Sequence, residues 1–248
     1  MQADESIGLY VQKWQQQWPE LRILDAFISK QKLTLCHAWQ SLFFELHECA
    51  FAIESAVVRE QKSLWWANEL HNICMNSATH PIGKALQNYP ADYVRLVEPF
   101  LNIAKQTPIR ASSRQELFQQ LAPMSESIAE VERQLFDGQR VSHFDDITVQ
   151  LLLMRIPHGL AAFDQALIPM HLLARHQALH TNQTSSALLK DWLDELAEAL
   201  QPTVRSNWYR SAQTAYCRRR IQQLRKHGHV KIQFGHAVDA WRAIRAFN

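Results

Sequence analysis

Apolar side chains recur at three- and four-residue spacing through most of this chain, which is the pattern of amphipathic helices. The clearest example, in residues 39–53, places on one helix face Trp39, Leu42, Phe43, Leu46, Ala50 and Ile53. After a polar break at residues 59–62, a second pattern predicts a helix that stops at His80-Pro81 and turns inward Leu64, Trp65, Leu70 and Ile73. Two helices joined by a short polar turn are expected to pack antiparallel.

Helix start and stop signals divide the rest of the chain. Pro19 is expected to break the first helix, and Pro81 to begin a short one, since proline needs no hydrogen-bond partner for its nitrogen at a first helical position. Ser113 is expected to cap a helix that ends at Pro123, and Gly138 to cap the helix after it. These signals leave no long stretch without a predicted helix.

Composition favours the same fold class. Only 6 of the 248 residues are glycine, and no Asn-Gly or Asp-Gly pair is present to form a tight hairpin. We therefore predict an all-α fold, a single domain of about ten helices, with essentially no sheet. The small polar residues near 180–186 are the best linker candidate. They separate a core of residues 1–180 from C-terminal helices in residues 187–248, which we assign to the same domain.

Cysteine usage and hydropathy indicate a cytoplasmic protein. The four cysteines form no C-x-x-C pair and fall in helical patterns, so we expect reduced core residues at Cys36, Cys49, Cys74 and Cys217. Residues 1–7 contain two acids and no apolar run, so no signal peptide is expected. No apolar run approaches the roughly 20 residues that cross a bilayer. Contact with a membrane is expected to be peripheral at most.

Charge is distributed unevenly. Residues 205–248 contain ten Lys or Arg and a single acid, Asp239, a balance of +9, whereas the rest of the chain has 16 bases and 23 acids, or −7. Within this basic segment Arg218 and Arg219 are candidates for binding a diphosphate or an anionic membrane surface, and nucleic acid is the less favoured partner. The alternative is a solvated helix surface with its apolar residues turned inward.

The order of motifs resembles the squalene and phytoene synthase family, whose members are all-helical isoprenoid synthases. Ser41-Leu-Phe-Phe-Glu-Leu46 resembles the opening Ala-Phe-x-x-Glu-Leu of that family. Leu64-Trp-Trp-Ala-Asn-Glu-Leu70, followed by His80-Pro81, resembles its Leu-x-Trp-Trp-x-x-x-Leu and His-Pro motifs. Residues 167–176 resemble its Leu-Pro-x-x-x-Leu-x-x-His segment. The resemblance covers residues 19–176 and implies a helical bundle around a central cavity.

The aspartate clusters of that family are missing here. Members that catalyse condensation use two such clusters to hold Mg²⁺, a hard ion that shares oxygen ligands between carboxylate and diphosphate. The first would fall at residues 48–54, which contain no Asp. Counting back from Pro169 puts Ile156 and Leu160 in the aspartate positions of the second cluster, and Gln165 in that of the family's arginine. The resemblance therefore implies no resident metal site.

Substitute site residues are nevertheless present in the opening helices. Glu45 and Glu48 lie three apart on one predicted helix and Glu69 lies on the next, which would suit a residual Mg²⁺ or polar pocket. The alternative is that Glu45 is hydrogen-bonded in the core and Glu48 is solvated. Trp65 and Trp66 would stack on a prenyl chain, or at least one of them would pack in the core, because adjacent helical residues face differently.

Two classes of function remain open at this point. The first is a non-catalytic protein that binds an isoprenoid ligand or a protein partner, like the complex I assembly factor branch of the family, and needs no cofactor. The second is a prenyltransferase acting on farnesyl or geranylgeranyl diphosphate, with Mg²⁺ on Glu45, Glu48 and Glu69. Because the aspartate clusters of the family are missing, the resemblance favours the first class.

Overall fold

The computed structural model describes residues 2–105, 110–156, 167–176, 186–200 and 207–247. These ranges are all-helical and contain no strand, which confirms the predicted fold class. The helices, with η marking the 3₁₀ type, are α1 (Gln2–Gln17), η1 (Pro19–Phe27), α2 (Lys30–Phe51), α3 (Ala56–Cys74), α4 (Pro81–Leu86), η2 (Tyr93–Leu96), α5 (Val97–Lys105), α6 (Arg114–Leu135), α7 (Asp145–Leu153), α8 (Met170–Arg175), α9 (Ser186–Ala199), α10 (Trp208–His227) and α11 (Phe234–Arg245).

Some residues assigned above lie outside the ranges that the structure describes. They are Leu160 and Gln165, which align with positions of the second aspartate motif, and residues 180–185 of the predicted linker. Ile156 is described and is buried.

The helix α2 is the centre of the N-terminal half. It packs against α1, α3, α4 and α5. Its consecutive residues Leu42, Phe43, Phe44 and Glu45 are all buried, as expected for a helix surrounded by others rather than lying on a surface. The break predicted at Pro19 is confirmed, because α1 ends before it and η1 begins with it.

The inward face of α3 differs from the prediction. Leu64 and Trp65 are 44% and 43% exposed, so placing them inward was wrong. Leu70 and Ile73 are buried as predicted, and Trp66 precedes them on the same buried face at four- and three-residue spacing. Trp65 precedes Trp66 by one residue and is therefore rotated by about 100° away from this face.

The stop signals in and after α6 were also misassigned. Pro123 lies inside α6, which continues to Leu135, so the missing N–H interrupts one hydrogen bond without ending the helix. The residue with left-handed backbone at the helix end is Asp137, with φ of 51°, and not Gly138. Gly138 donates its N–H to the carbonyl of Arg133 at 2.8 Å and closes the last turn.

Three of the four cysteines are buried, namely Cys36, Cys49 and Cys217. Cys74 is exposed, so its assignment to the core was wrong. It is the last residue of α3, where the chain leaves the bundle, and its Sγ lies 3.8 Å from the carbonyl oxygen of Ala91.

The helix α10 organises the C-terminal half. It packs against α7, α9, α11 and η1, which brings the end of the chain onto its beginning. Buried apolar side chains from Ile7 to Ala243 form one continuous cluster. None of the helices in the described ranges combines the length and the hydropathy that crossing a membrane requires.

Candidate functional site

The helices α1, α2 and α3 bring four charged side chains together in what we call the carboxylate cluster: Lys13, Glu45, Glu48 and Lys62. Glu45 and Glu48 share a face of α2 because they are three residues apart. The Nζ atom of Lys13 lies 2.8 Å from Oε1 of Glu45 and 2.5 Å from Oε2 of Glu48. The Nζ atom of Lys62 lies 3.8 Å from Oε2 of Glu45. Two of the three predicted acids thus meet, each in contact with a lysine.

The electrostatics of the cluster keep Lys13 charged. Burial by itself would lower the pKa of Lys13, but its hydrogen bonds and charge interactions with Glu45 and Glu48 outweigh burial and raise that pKa above its ordinary value. Glu45 is buried, so its carboxylate needs this compensation. The ammonium group of Lys13 thereby lies between the two acids, where a divalent cation would have to bind.

Glu69 has a different role in the structure. Its carboxylate is buried and accepts hydrogen bonds from the backbone N–H of Thr79 at 2.9 Å and of His80 at 2.8 Å. The hydroxyl of Thr79 donates to its other oxygen at 3.0 Å. Gly83 on α4 approaches so closely that a Cβ atom there would lie 2.4 Å from Oε1 of Glu69. Glu69 therefore holds the chain that enters α4.

His80 connects Glu69 to an aromatic group on the same side of the bundle. Its Nε2 atom lies 2.8 Å from the hydroxyl oxygen of Tyr10, and its Nδ1 accepts from the N–H of Ile82 at 3.3 Å. The rings of Trp65 and Trp66 meet the imidazole edge to face, with centroids 5.5 and 5.0 Å away. Trp66 is buried and Trp65 is partly exposed, which confirms that at least one of the pair packs in the core.

The two candidate arginines lie in another part of the molecule and contact their own chain. Arg218 donates from Nε and Nη2 to the carbonyl of Leu200, at 3.2 and 2.9 Å. Arg219 donates from Nε to Oδ2 of Asp239 at 2.7 Å. Their helix, α10, packs on α7, α9, α11 and η1, whereas α3 with its two tryptophans packs chiefly on α2, α4, α5 and η2. These guanidinium groups therefore fasten α10 to its neighbours.

The third arginine of this run, Arg220, is buried against the start of the chain. It donates to Oε1 of Glu20 at 2.5 Å and to the carbonyl of Gln17 at 2.9 Å. Its guanidinium carbon lies 4.1 Å from the ring centroid of Trp18. The basic run is thus only partly a solvated surface.

A buried polar network, which the sequence reasoning missed, crosses the centre of the bundle. Arg210 of α10 forms two hydrogen bonds with the carboxylate of Glu132 on α6, and its Nη1 donates to Oε1 of Gln150 on α7 at 2.6 Å. Trp39 of α2 donates from Nε1 to the same glutamate at 3.1 Å. Burial opposes a charge on Arg210, but Glu132 outweighs it, so the pKa of Arg210 is raised further.

One signal in the sequence points to this network. Glu132 follows Val131 within the apolar pattern of Ile128, Val131 and Leu135, so it occupies the inward face of α6. An acid at such a position requires a buried partner. That partner, Arg210, is 78 residues away in the sequence, and no pattern of neighbouring residues identifies it.

The interior beside α2 is filled by side chains. A void of about 10 Å³ remains between α2, α5, α6 and α7, and its wall is apolar apart from His47. The residues around it are Trp39, Phe43, Leu46, His47, Ala50, Phe51, Leu96, Phe100, Ile103, Met124, Ile128 and Leu151. This void has room for about one water-sized sphere, so it has no room for a prenyl chain.

Across the described ranges, no three His, Cys, Asp or Glu side chains are grouped as a metal ion requires. The fold and the site define an all-helical protein with a lysine-paired carboxylate cluster. Comparisons with protein-family models, with curated proteins and with solved structures found no match to this chain.

Proposed function

We propose that this chain is a squalene and phytoene synthase-like cytoplasmic protein that has lost Mg²⁺-dependent condensation and acts as a non-catalytic isoprenoid-binding or assembly-type protein. The order of motifs in residues 19–176 supports the family. The observation that carries the loss of condensation is the position of Lys13, whose ammonium contacts both Glu45 and Glu48.

The chemistry of the leaving group explains why this contact matters. Ionising an allylic diphosphate requires divalent cations, each surrounded by oxygens from carboxylates and phosphate. A divalent ion at Glu45 and Glu48 would have to displace Lys13, which the two acids hold in its charged form. Glu69 already accepts three hydrogen bonds from Thr79 and His80, which occupy both of its oxygens.

The same region has the chemistry to bind a prenyl diphosphate without reacting with it. Lys62 and Trp65 are three residues apart on α3 and share a face. The indole of Trp65 is partly exposed and would take an apolar chain, while the ammonium group of Lys62, 3.8 Å from Oε2 of Glu45, would contact the diphosphate. A protein partner with an apolar edge would use the same exposed indole.

Turnover assays test the loss of condensation. Purified protein is incubated with farnesyl or geranylgeranyl diphosphate and Mg²⁺, and released pyrophosphate is measured. We expect no release above the protein-free blank. The proposal would be overturned if pyrophosphate were released, if Glu45→Gln abolished this release and if the exposed control Glu126→Gln did not. That result would establish an active prenyltransferase.

Binding is measured separately. Farnesyl diphosphate is titrated against the protein without Mg²⁺, and the fluorescence of the tryptophans is followed. We expect saturable quenching that Trp65→Ala reduces and that Lys62→Ala weakens. Absence of saturable binding, together with absence of turnover, would leave the assembly role and remove the isoprenoid ligand from the proposal.

A further inference from the structure

The last helix has an outward face that is unusual for a surface exposed to water. On α11 the buried residues are His236, Ala240 and Ala243, which follow one another at four- and three-residue spacing. The opposite side, here called the α11 face, is formed by Phe234, Val238, Trp241, Arg242 and Arg245. At about 100° per residue these five positions fall within roughly a third of the helix circumference, centred opposite the buried stripe.

Aromatic side chains on the α11 face are strongly exposed. Phe234 is 84% exposed and Trp241 is 47% exposed. Trp241, Arg245, Phe27 and Ile244 line a surface groove of about 360 Å³. The guanidinium carbon of Arg245 lies 5.0 Å from the ring centroid of Trp241. Neighbouring apolar groups exposed in this way mark an interaction surface rather than ordinary solvated surface.

Apart from Asp239, the residues with full charges in the stretch 226–247 are all basic. Lys226, Lys231, Arg242 and Arg245 are all exposed. Asp239 is the only acid in residues 226–247, and Arg219 neutralises it. The positive charge predicted for the C-terminal segment is therefore presented to the outside by α11, the loop before it and the last turn of α10, and only in part by Arg218, Arg219 and Arg220.

We infer that the α11 face docks on the surface of an anionic lipid bilayer. Tryptophan and phenylalanine partition into the boundary between head groups and acyl chains, while arginine keeps its charged end among the phosphates. The 12 residues of α11 are too few to span a bilayer, so the helix lies on the surface. This inference is independent of the prenyl chemistry proposed above.

Composition favours a lipid surface over an acidic protein. Residues 234–245 supply Phe234 and Trp241, aromatic side chains that prefer the head-group boundary of a bilayer, beside Arg242 and Arg245. Apolar groups to insert, together with cations to attract, are the combination of a surface-bound amphipathic helix.

Vesicle sedimentation tests this docking. The full chain is mixed with vesicles of phosphatidylcholine alone, or of phosphatidylcholine with phosphatidylglycerol, at low and high salt. We expect binding to the anionic vesicles that weakens at high salt, because surface charges are screened. Arg242→Gln with Arg245→Gln should weaken it about 30-fold, the effect of removing two surface cations. Trp241→Ala should weaken it at both salt concentrations.

A matched control separates the face from overall charge. Arg95→Gln with Arg140→Gln removes two exposed cations elsewhere, and Met75→Ala removes an exposed apolar side chain at the end of α3. Circular dichroism shows whether each variant folds. Equal losses in the control and the α11 variants, or no binding to anionic vesicles, would overturn the inference. Binding to soluble polyglutamate but not to vesicles would overturn it in favour of an acidic protein partner.

Discussion

Arg210 and Glu132 form an ion pair inside the bundle, with Nε of the arginine 2.8 Å from Oε2 of the glutamate and both side chains buried. Gln150 of α7 accepts a hydrogen bond from Arg210, and Trp39 of α2 donates one to Glu132. Four helices thus meet at one charged pair, and the free energy of unfolding depends on keeping both partners.

The first prediction concerns this pair. Arg210→Met alone leaves the Glu132 carboxylate buried without its cation and should lower the free energy of unfolding by about 3–5 kcal/mol. Arg210→Met with Glu132→Leu should restore part of the loss, since neither charge then remains unpaired. Urea unfolding of the wild type, Arg210→Met, Glu132→Leu and the double variant measures these values. A double variant less stable than the sum of the two single variants would contradict this account.

The second prediction uses two glycines with opposite surroundings. Gly83→Ala would push a methyl group to 2.4 Å from Oε1 of Glu69 and 2.9 Å from Cβ of Ala78, so it should destabilise the protein by about 1–3 kcal/mol. Gly8→Ala, inside α1 with nothing within 4 Å of the new atom, should stabilise it by about 0.5–1 kcal/mol. Thermal unfolding of both variants is the measurement. Similar shifts in both would show that Glu69 is not held tightly.

The third prediction is a dependence of stability on pH. Burial lowers the pKa of His80 below its ordinary value near 6.5, and the charge of Lys62 adds to this, while the charges of Glu69 and Glu45 oppose it. The unfolded chain therefore binds a proton at higher pH than the folded chain does. The free energy of unfolding should fall as pH falls from about 6.5 through the folded pKa. Burial also lowers the pKa of His236, which acts in the same direction.

Urea unfolding at about pH 7.5 and about pH 5.5 measures this dependence. His80→Asn keeps a side chain able to cap α4 and should reduce the loss of stability at the lower pH. The exposed His143 serves as the control, through His143→Asn. An unchanged loss in His80→Asn would remove His80 as its source.

The fourth prediction concerns thiol reactivity. Burial raises the pKa of Cys49 to about 11 and of Cys217 to about 12, and it raises the pKa of Cys36 well above its ordinary value. Cys74 is exposed. Because the thiolate is the reactive form, the native protein should show one rapidly reacting thiol with Ellman's reagent, and denaturant should reveal all four.

Variants identify the reactive thiol. Cys74→Ser should abolish the rapid phase, whereas Cys217→Ser should leave it unchanged. A rapid phase of more than one thiol in the native protein would show that the buried cysteines open to solvent.

Local signals in the sequence were reliable where the structure depends on neighbours along the chain. Pro81 begins α4, and the hydroxyl of Ser113 accepts the N–H of Glu116 at 3.3 Å, because both effects act within one helical turn. The carboxylate of Glu116 accepts from the backbone N–H and the hydroxyl of Ser112. Pro123 was misread because packing of α6 compensates a single missing hydrogen bond.

Pairings between distant residues could not be predicted from local pattern. Arg218 and Arg219 were assigned to an external anion because their run has few acids near it in the sequence. The partners of this segment lie just after α9, on α11 and on η1, and only the folded topology brings them close. For Glu45 and Glu48 the spacing on α2 predicted the meeting of the two acids, but not that Lys13 would join them from α1.

The contact between Glu20 and Arg220 spans 200 residues and has a consequence for biosynthesis. While the chain emerges from the ribosome, Glu20 is made long before its partner, so η1 cannot reach its final packing until α10 has been translated. Because this contact waits for almost the whole chain, we expect docking of the C-terminal helices to be a late step in folding. A nascent chain stalled before Arg220 would present an uncovered apolar surface on η1 to chaperones.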